Sequence, residues 1–141
     1  MKAEAARLKR LQRLERVRAI ARQAAATDAA QAEGTLAQLA ALAERSRRLA
    51  GDYAARSEAR DGAALQQLSR FAGGLQGISE NTAGDAARAR LFADTKLELL
   101  AAAERRRAAV ESRADKQARR MAKREILPAL GTRRAIGTGL E

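Results

Sequence analysis

The basic residues of this chain occur in a pattern that could bind a partner. In the stretch RLKRLQRLERVRAI, residues 7–20, an apolar residue stands at every third position and most of the others are Arg or Lys. The apolar positions are Leu8, Leu11, Leu14, Val17 and Ile20. Guanidinium and ammonium groups bind carboxylates and phosphates. The stretch could therefore form an intramolecular helix contact, a nucleic-acid surface, a membrane-lying helix or a docking surface for another protein.

The sequence offers few candidates for catalysis. It contains neither Cys nor His, which excludes disulfides, thiolate nucleophiles and histidine-based triads. Asp94 and Glu98 share one face of a predicted helix, but no third ligand converges on them. The GTG at 137–139 lacks the strand and helix that flank a phosphate-binding loop. We therefore expect no enzymatic activity, no catalytic residues, no cofactor, no metal site and no small-molecule substrate.

The positive charge lies in two separate blocks. Residues 1–22 carry a net charge of +6 and residues 105–124 carry +7, whereas residues 23–104 carry −2. Only 2% of the residues are aromatic, and Ala, Leu, Arg and Glu are abundant. This composition is typical of long helices or a coiled coil rather than of a compact core.

Spacings that alternate between three and four residues predict two long helices that pack along a narrow seam. The first predicted run contains Leu14, Val17, Ala21 and Ala24 and leaves Leu8, Leu11 and Ile20 partly outside the seam. A weak stretch at 27–34 follows, where Asp28 and Gln31 occupy expected apolar positions. The later runs are Leu39, Leu42, Ser46, Leu49 and Tyr53, and then Leu65, Leu68, Ala72 and Leu75.

Two places could reverse the chain. Asp61–Gly62 is a turn signal in which Asp can also cap the next helix, and a glycine-rich stretch surrounds Ser79. We favour the first, because it pairs residue i with about residue 123 − i in two helices of similar length. It also brings the two basic blocks side by side.

The sequence thus predicts an all-α fold, a long antiparallel two-helix coiled-coil hairpin with a flexible C-terminal tail. Helix 1 is expected at about 3–58, the turn at about 59–63 and helix 2 at about 64–127, with a glycine-rich kink at 73–84. Pro128 is expected to end helix 2, because the residue before proline is disfavoured in the helical region. Residues 128–141 would form the flexible tail.

Nucleic acid is the main alternative partner. Arg-rich helical blocks are the electrostatic footprint of nucleic-acid binding. The basic block, however, carries a Leu at every third position, and aromatic residues that could stack on bases are scarce. A membrane-surface helix is less favoured, since its apolar side lacks Trp and Phe.

Four motifs follow one another along the chain. They are the basic run RLKRLQRLERVR, the helix end LAGDYAARSEA, the segment LQQLSRF after a short polar loop, and the basic returning helix ERRRAAVESRADKQARRMAKRE. Their order resembles the FliJ family, the stalk-like protein of the bacterial flagellar type III export apparatus. The resemblance covers about residues 5–127.

The resemblance implies a non-enzymatic, cytoplasmic protein at the flagellar base, peripheral to the inner membrane. Its partners would be the flagellar export ATPase, the cytoplasmic domain of an export-gate membrane protein, and export chaperones. The end that carries the chain termini would insert into the ATPase ring through Arg7, Lys9, Arg10, Arg13, Arg16, Arg18, Arg105, Arg106, Arg107, Arg113, Arg119 and Arg120. A face near the hinge would contact the export gate through Leu42, Leu49, Tyr53, Leu68 and Phe71.

Overall fold

Two helices account for nearly all of the described chain. The computed structural model describes residues 2–56 and 61–136, with side chains described as far as residue 127. Helix α1 spans Lys2–Ala55 and helix α2 spans Gly62–Ile136, and the described residues contain no strand. The two helices pack against each other, which confirms the predicted all-α helical hairpin.

The chain reverses direction between Ala55 and Gly62 and not in the glycine-rich stretch. At the end of α1, the Arg56 N–H donates to the Tyr53 carbonyl oxygen at 3.3 Å and tightens the last turn. Asp61 caps α2, because its carboxylate accepts a hydrogen bond of 2.7 Å from the Ala64 N–H. The sequence-based expectation that Asp61 caps the second helix is confirmed. Residues 57–60, which include part of the predicted turn, lie outside the described residues.

Helix α2 is longer than the sequence predicts. It is continuous through the glycine-rich stretch at 73–84, where a kink was expected, and the glycines there adopt no positive φ angle. It also continues through Pro128 to Ile136, so the expectation that Pro128 ends the helix is wrong. Proline removes one backbone donor, and the strong helix formers on either side outweigh that loss. The rest of the predicted tail, residues 137–141, lies outside the described residues.

The helices form two compact units, which we name by their position in the hairpin. The turn unit is Ala25–Leu100, and the terminal unit combines α1 up to Ala24 with α2 from Ala101 onward. In each unit the covered side chains recur at alternating spacings of four and three residues. These are the a and d positions of a heptad labelled a to g, and we call them the seam.

Small residues dominate the seam of the turn unit. Ala29, Ala32, Ala50, Ala72 and Ala93 are buried there, and no large side chain in the described part of the chain is fully buried. The seam residues of this unit are Ala25, Ala29, Ala32, Leu36, Leu39, Ala43, Ser46, Ala50 and Tyr53 on α1, and Leu68, Ala72, Leu75, Ser79, Thr82, Ala86, Ala89, Ala93, Lys96 and Leu100 on α2.

This register corrects part of the predicted seam. Ala43 and Ala50 occupy the positions that the sequence assigned to Leu42 and Leu49, which instead lie beside the seam and are 46% and 41% exposed. Ser46 lies on the seam as expected, and the supposedly weak stretch contributes two buried alanines rather than a gap. The prediction followed the largest residues, whereas alanine at the seam lets two helices pack closely.

The seam of the terminal unit contains charged side chains. It comprises Glu4, Leu8, Leu11, Glu15, Arg18 and Arg22 on α1, and Ala103, Arg107, Val110, Ala114, Gln117 and Met121 on α2. Leu8 and Leu11 are therefore half-buried, and Leu14 and Val17 are exposed, which is the reverse of the prediction. Because a heptad seam follows one stripe along a stiff helix, the register that covers Leu8 and Leu11 passes through Glu15 and Arg18.

Neither helix, within the described residues, has a stretch long and apolar enough to cross a bilayer.

Candidate partner-binding sites

None of the twelve basic residues predicted to bind the ATPase ring forms an ion pair with another described residue. In the described part of the terminal unit, ion pairs form between Arg22 and Glu104, at 3.6 Å, and between Glu4 and Arg124. Neither pair uses any of the twelve predicted basic residues. Ten of the twelve are exposed, and the other two, Arg18 and Arg107, are half-buried on the seam. The structure therefore leaves a large cationic surface at the terminal end.

Exposed apolar side chains lie among these cations. Leu14 is 38% exposed, Val17 is 59% exposed and Ile20 is 71% exposed. Ile20 is the most exposed of them because it occupies heptad position f, directly opposite the seam. The face of α1 that points away from α2 is thus both apolar and basic.

A groove in the terminal unit brings three of the predicted arginines together. Arg7 on α1 and Arg113 and Arg120 on α2 occupy g positions, which border the same side of the seam. With Leu11, Lys116 and Gln117 they line a groove of about 290 Å³. Lys116 and Gln117 were not among the predicted site residues. Spacing along α2 gave no sign of them, because their role depends on which face of α2 meets α1.

The two seam arginines are placed differently. The Nε atoms of Arg18 and Arg107 are buried, and neither has a hydrogen-bond partner among the described residues. Arg107 also borders a second depression of about 400 Å³, together with Gln12, Glu15, Arg16 and Ala19. Buried donors without partners destabilise a fold, so these arginines carry a structural cost that the ten exposed basic residues do not.

The hinge-proximal residues divide into two groups. Tyr53 and Leu68 lie on the seam and are half-buried, whereas Leu42, Leu49 and Phe71 lie at g positions and are exposed. The structure brings Tyr53 and Phe71 together, with ring centroids 4.7 Å apart in an edge-to-face arrangement at 76°.

The hinge-proximal apolar surface includes features that the sequence prediction did not contain. The Arg56 guanidinium lies 4.3 Å from the Tyr53 ring centroid and covers that ring. Ile78, one heptad beyond Phe71, is 53% exposed and belongs to the same side. This g side therefore presents Leu42, Leu49, Phe71 and Ile78 together.

One acidic group near this surface has a strongly shifted pKa. Hydrogen bonds from Arg47, at 3.0 and 2.8 Å, and from Arg48, at 3.1 Å, lower the pKa of Glu44 from 4.5 to about 2. The hydrogen bonds from Glu44 in turn raise the pKa of Arg47. The cluster lies within one helix, so it supports α1 locally.

In the described residues, no three side chains of the metal-ligating types cluster where they could hold an ion. Asp94 and Glu98 are exposed.

Comparisons with protein-family models, with curated proteins and with solved structures find no match for this chain.

Proposed function

We propose that this protein is a non-enzymatic coiled-coil stalk of a flagellar export apparatus. Its terminal end would bind the export ATPase ring, and its hinge-proximal face would bind the export gate. In this role it promotes assembly of the ring and couples the ring to the gate, through binding and not through catalysis. It would work in the cytoplasm at the flagellar base, where export chaperones are further partners.

One observation carries the proposal for the terminal end. Cations without ion-pair partners surround exposed apolar side chains, among them Leu14, Val17 and Ile20. Protein interfaces combine apolar anchors with Arg, whereas a surface that binds only a phosphate backbone gains nothing from exposed Val or Ile. The surface therefore suits an acidic protein partner with apolar contacts of its own.

The hinge-proximal face supports a second contact. Four large apolar side chains on the g side, Leu42, Leu49, Phe71 and Ile78, are each between 41% and 53% exposed. Contiguous exposed apolar residues are a feature of protein interaction sites. The edge contact between Tyr53 and Phe71 orients this surface, because it holds a seam residue against a flanking one.

The test is stimulation of a purified flagellar export ATPase by the full chain. The test variant replaces Arg10, Arg13 and Arg119 with Gln, which removes three exposed charges from the terminal unit. The control variant replaces Arg45, Arg70 and Arg90 with Gln, which removes three exposed charges from the turn unit. Gln and Arg have similar helix propensities, so both variants are expected to remain helical by circular dichroism.

We expect the wild type and the control to stimulate the ATPase and the test variant to lose most of that effect. A second variant, Val17→Gln with Ile20→Gln, is expected to weaken stimulation without changing the charge. Absence of any stimulation by the wild-type chain would overturn the proposal for the ATPase.

Nucleic-acid binding is the second candidate, and the observation that favours it is the set of unpaired arginines on the terminal unit. A phosphate-binding surface loses affinity steeply as salt concentration rises. The discriminating measurement is binding to random-sequence DNA across a salt series, in the buffer used for the ATPase assay. Sub-micromolar DNA binding with a steep salt slope and no ATPase stimulation would favour this candidate over the stalk.

A further inference from the structure

The groove in the terminal unit is built by both helices. Arg7 and Leu11 come from α1, and Arg113, Lys116, Gln117 and Arg120 come from α2. Leu11 and Gln117 are seam residues, and the four cations stand around them. The groove therefore exists only where α1 and α2 are packed together.

The four cations of the groove lack counter-charges. None of Arg7, Arg113, Lys116 and Arg120 takes part in an ion pair or hydrogen bond in the described part of the chain, and no acidic residue lines the groove. Their mutual repulsion opposes closure of the helices at this end, although salt screens it over about 8–10 Å. A bound anionic group would offset that repulsion.

Gln117 adds a neutral polar group between the four cations. It is only 6% exposed and it lines the groove. Its amide N–H can donate to a carboxylate that enters between the four cations.

We propose that this groove binds an acidic segment of a protein partner. Carboxylates of the segment would pair with the arginines and Lys116, one of them would reach Gln117, and an apolar residue would rest on Leu11. The proposal deepens the proposed function, on which it relies only for the partner's identity as the ATPase. Since both helices supply the binding groups, an acidic segment also draws α1 and α2 together at the terminal end.

The experiment measures binding of a short, fluorescently labelled, glutamate-rich helical peptide to the full chain by anisotropy. The same peptide with Gln in place of Glu is the uncharged probe, and a single-stranded oligonucleotide of equal charge is the nucleic-acid probe. The groove variant carries Arg113→Gln, Lys116→Gln and Arg120→Gln. The matched control carries Arg45→Gln, Arg70→Gln and Arg90→Gln, which lowers the net charge equally outside the groove. Circular dichroism checks that both remain helical.

We expect the groove variant to bind the acidic peptide about tenfold more weakly than the control, because three exposed charge pairs are lost together. Gln117→Leu keeps every charge and is expected to weaken peptide binding about threefold, which a general charge effect would not do. The peptide should also raise the melting temperature of the wild-type chain and leave that of the groove variant unchanged.

Equal loss of peptide affinity in the groove and control variants would overturn the proposal. The proposal would also be overturned if the groove substitutions weakened binding of the oligonucleotide more than they weakened binding of the acidic peptide. The outcomes for this proposal and for the proposed function can be told apart. If the groove variant loses peptide binding but still stimulates the ATPase, the groove remains an acidic-peptide site and the ATPase is not its partner. Failure of the wild type to stimulate the ATPase, with groove-dependent peptide binding, removes the stalk function alone.

Discussion

The two seam arginines provide the sharpest test of the register. Arg18 and Arg107 occupy seam positions of the terminal unit close to the Arg22–Glu104 ion pair. The Nε atom of each is buried without a partner among the described residues. Replacement of both by Leu removes two unsatisfied donors and two like charges, and it places apolar side chains where the partner helix can cover them. We therefore expect the variant Arg18→Leu with Arg107→Leu to be more stable than the wild type.

The size of the expected stabilisation follows from how deeply the two side chains are buried. A buried donor without a partner costs about 1–3 kcal/mol, and a fully buried Leu contributes about 1.5–3 kcal/mol. Both positions are only half-buried, and the arginine stems already cover apolar surface, so most of that gain is not realised. We expect each substitution to raise the free energy of unfolding by about 1 kcal/mol and the pair by about 2 kcal/mol. For a chain of this size the pair should raise the melting temperature by about 6 °C.

The assay is thermal and urea unfolding of the full chain, followed by circular dichroism at the helical minimum. The matched control is Arg13→Leu with Arg105→Leu, which removes the same two charges from f positions that face away from the partner helix. Exposed substitutions of this kind change stability by less than about 0.5 kcal/mol. Equal stabilisation by the two pairs would show that charge relief alone is responsible, and a loss of stability in the seam variant would refute the register itself.

Three further predictions concern the turn unit. Asp61→Ala removes the 2.7 Å bond from the Ala64 N–H and should lower stability by about 1 kcal/mol in urea unfolding, whereas Asp61→Asn should retain most of it. Gly74→Ala should raise stability by about 0.5–1 kcal/mol in the same assay, because α2 is helical there and a Cβ would meet no atom within 4 Å; a destabilised variant would indicate a kink at this site. The Glu44 carboxyl should titrate near pH 2 by NMR, because its pKa is lowered on folding. Its contribution to stability is therefore complete above pH 4.5 and is lost as the pH falls towards about 2. In Arg47→Ala that titration should move up towards 4.5, and an unchanged value would contradict the hydrogen-bond assignment.

Much of the fold could be predicted from local chemistry. Ala, Leu, Arg and Glu favour helix, and the Asp61–Gly62 pair marks the reversal because a carboxylate satisfies the first free N–H groups of α2. Pro128 was misread, because proline weakens a helix locally and local rules do not include the stabilisation from the long helix to which it belongs.

The candidate sites were predicted only in part. The basic blocks are visible as charge, and the structure leaves ten of the twelve predicted cations exposed. Lys116 and Gln117 were missed, because a groove between two helices depends on how they face each other and not on spacing along either one. Tyr53 and Leu68 were predicted both in the seam and in the hinge-proximal face, and they lie half-buried on the seam.

The sequence by itself determined that this chain forms two long helices, and it favoured a reversal at Asp61–Gly62 that brings the two basic blocks to the same end. Those properties depend on propensity, capping and chain order, which act within a few residues. Only the tertiary structure decided which stripe of each helix is covered. Two adjacent apolar stripes run along α1, one with Leu42 and Leu49 and the other with Ala43 and Ala50. Nothing within a single isolated helix determines which of the two stripes is covered. The partner helix distinguishes them, because packing on alanine covers the smaller side chains and leaves the larger ones exposed.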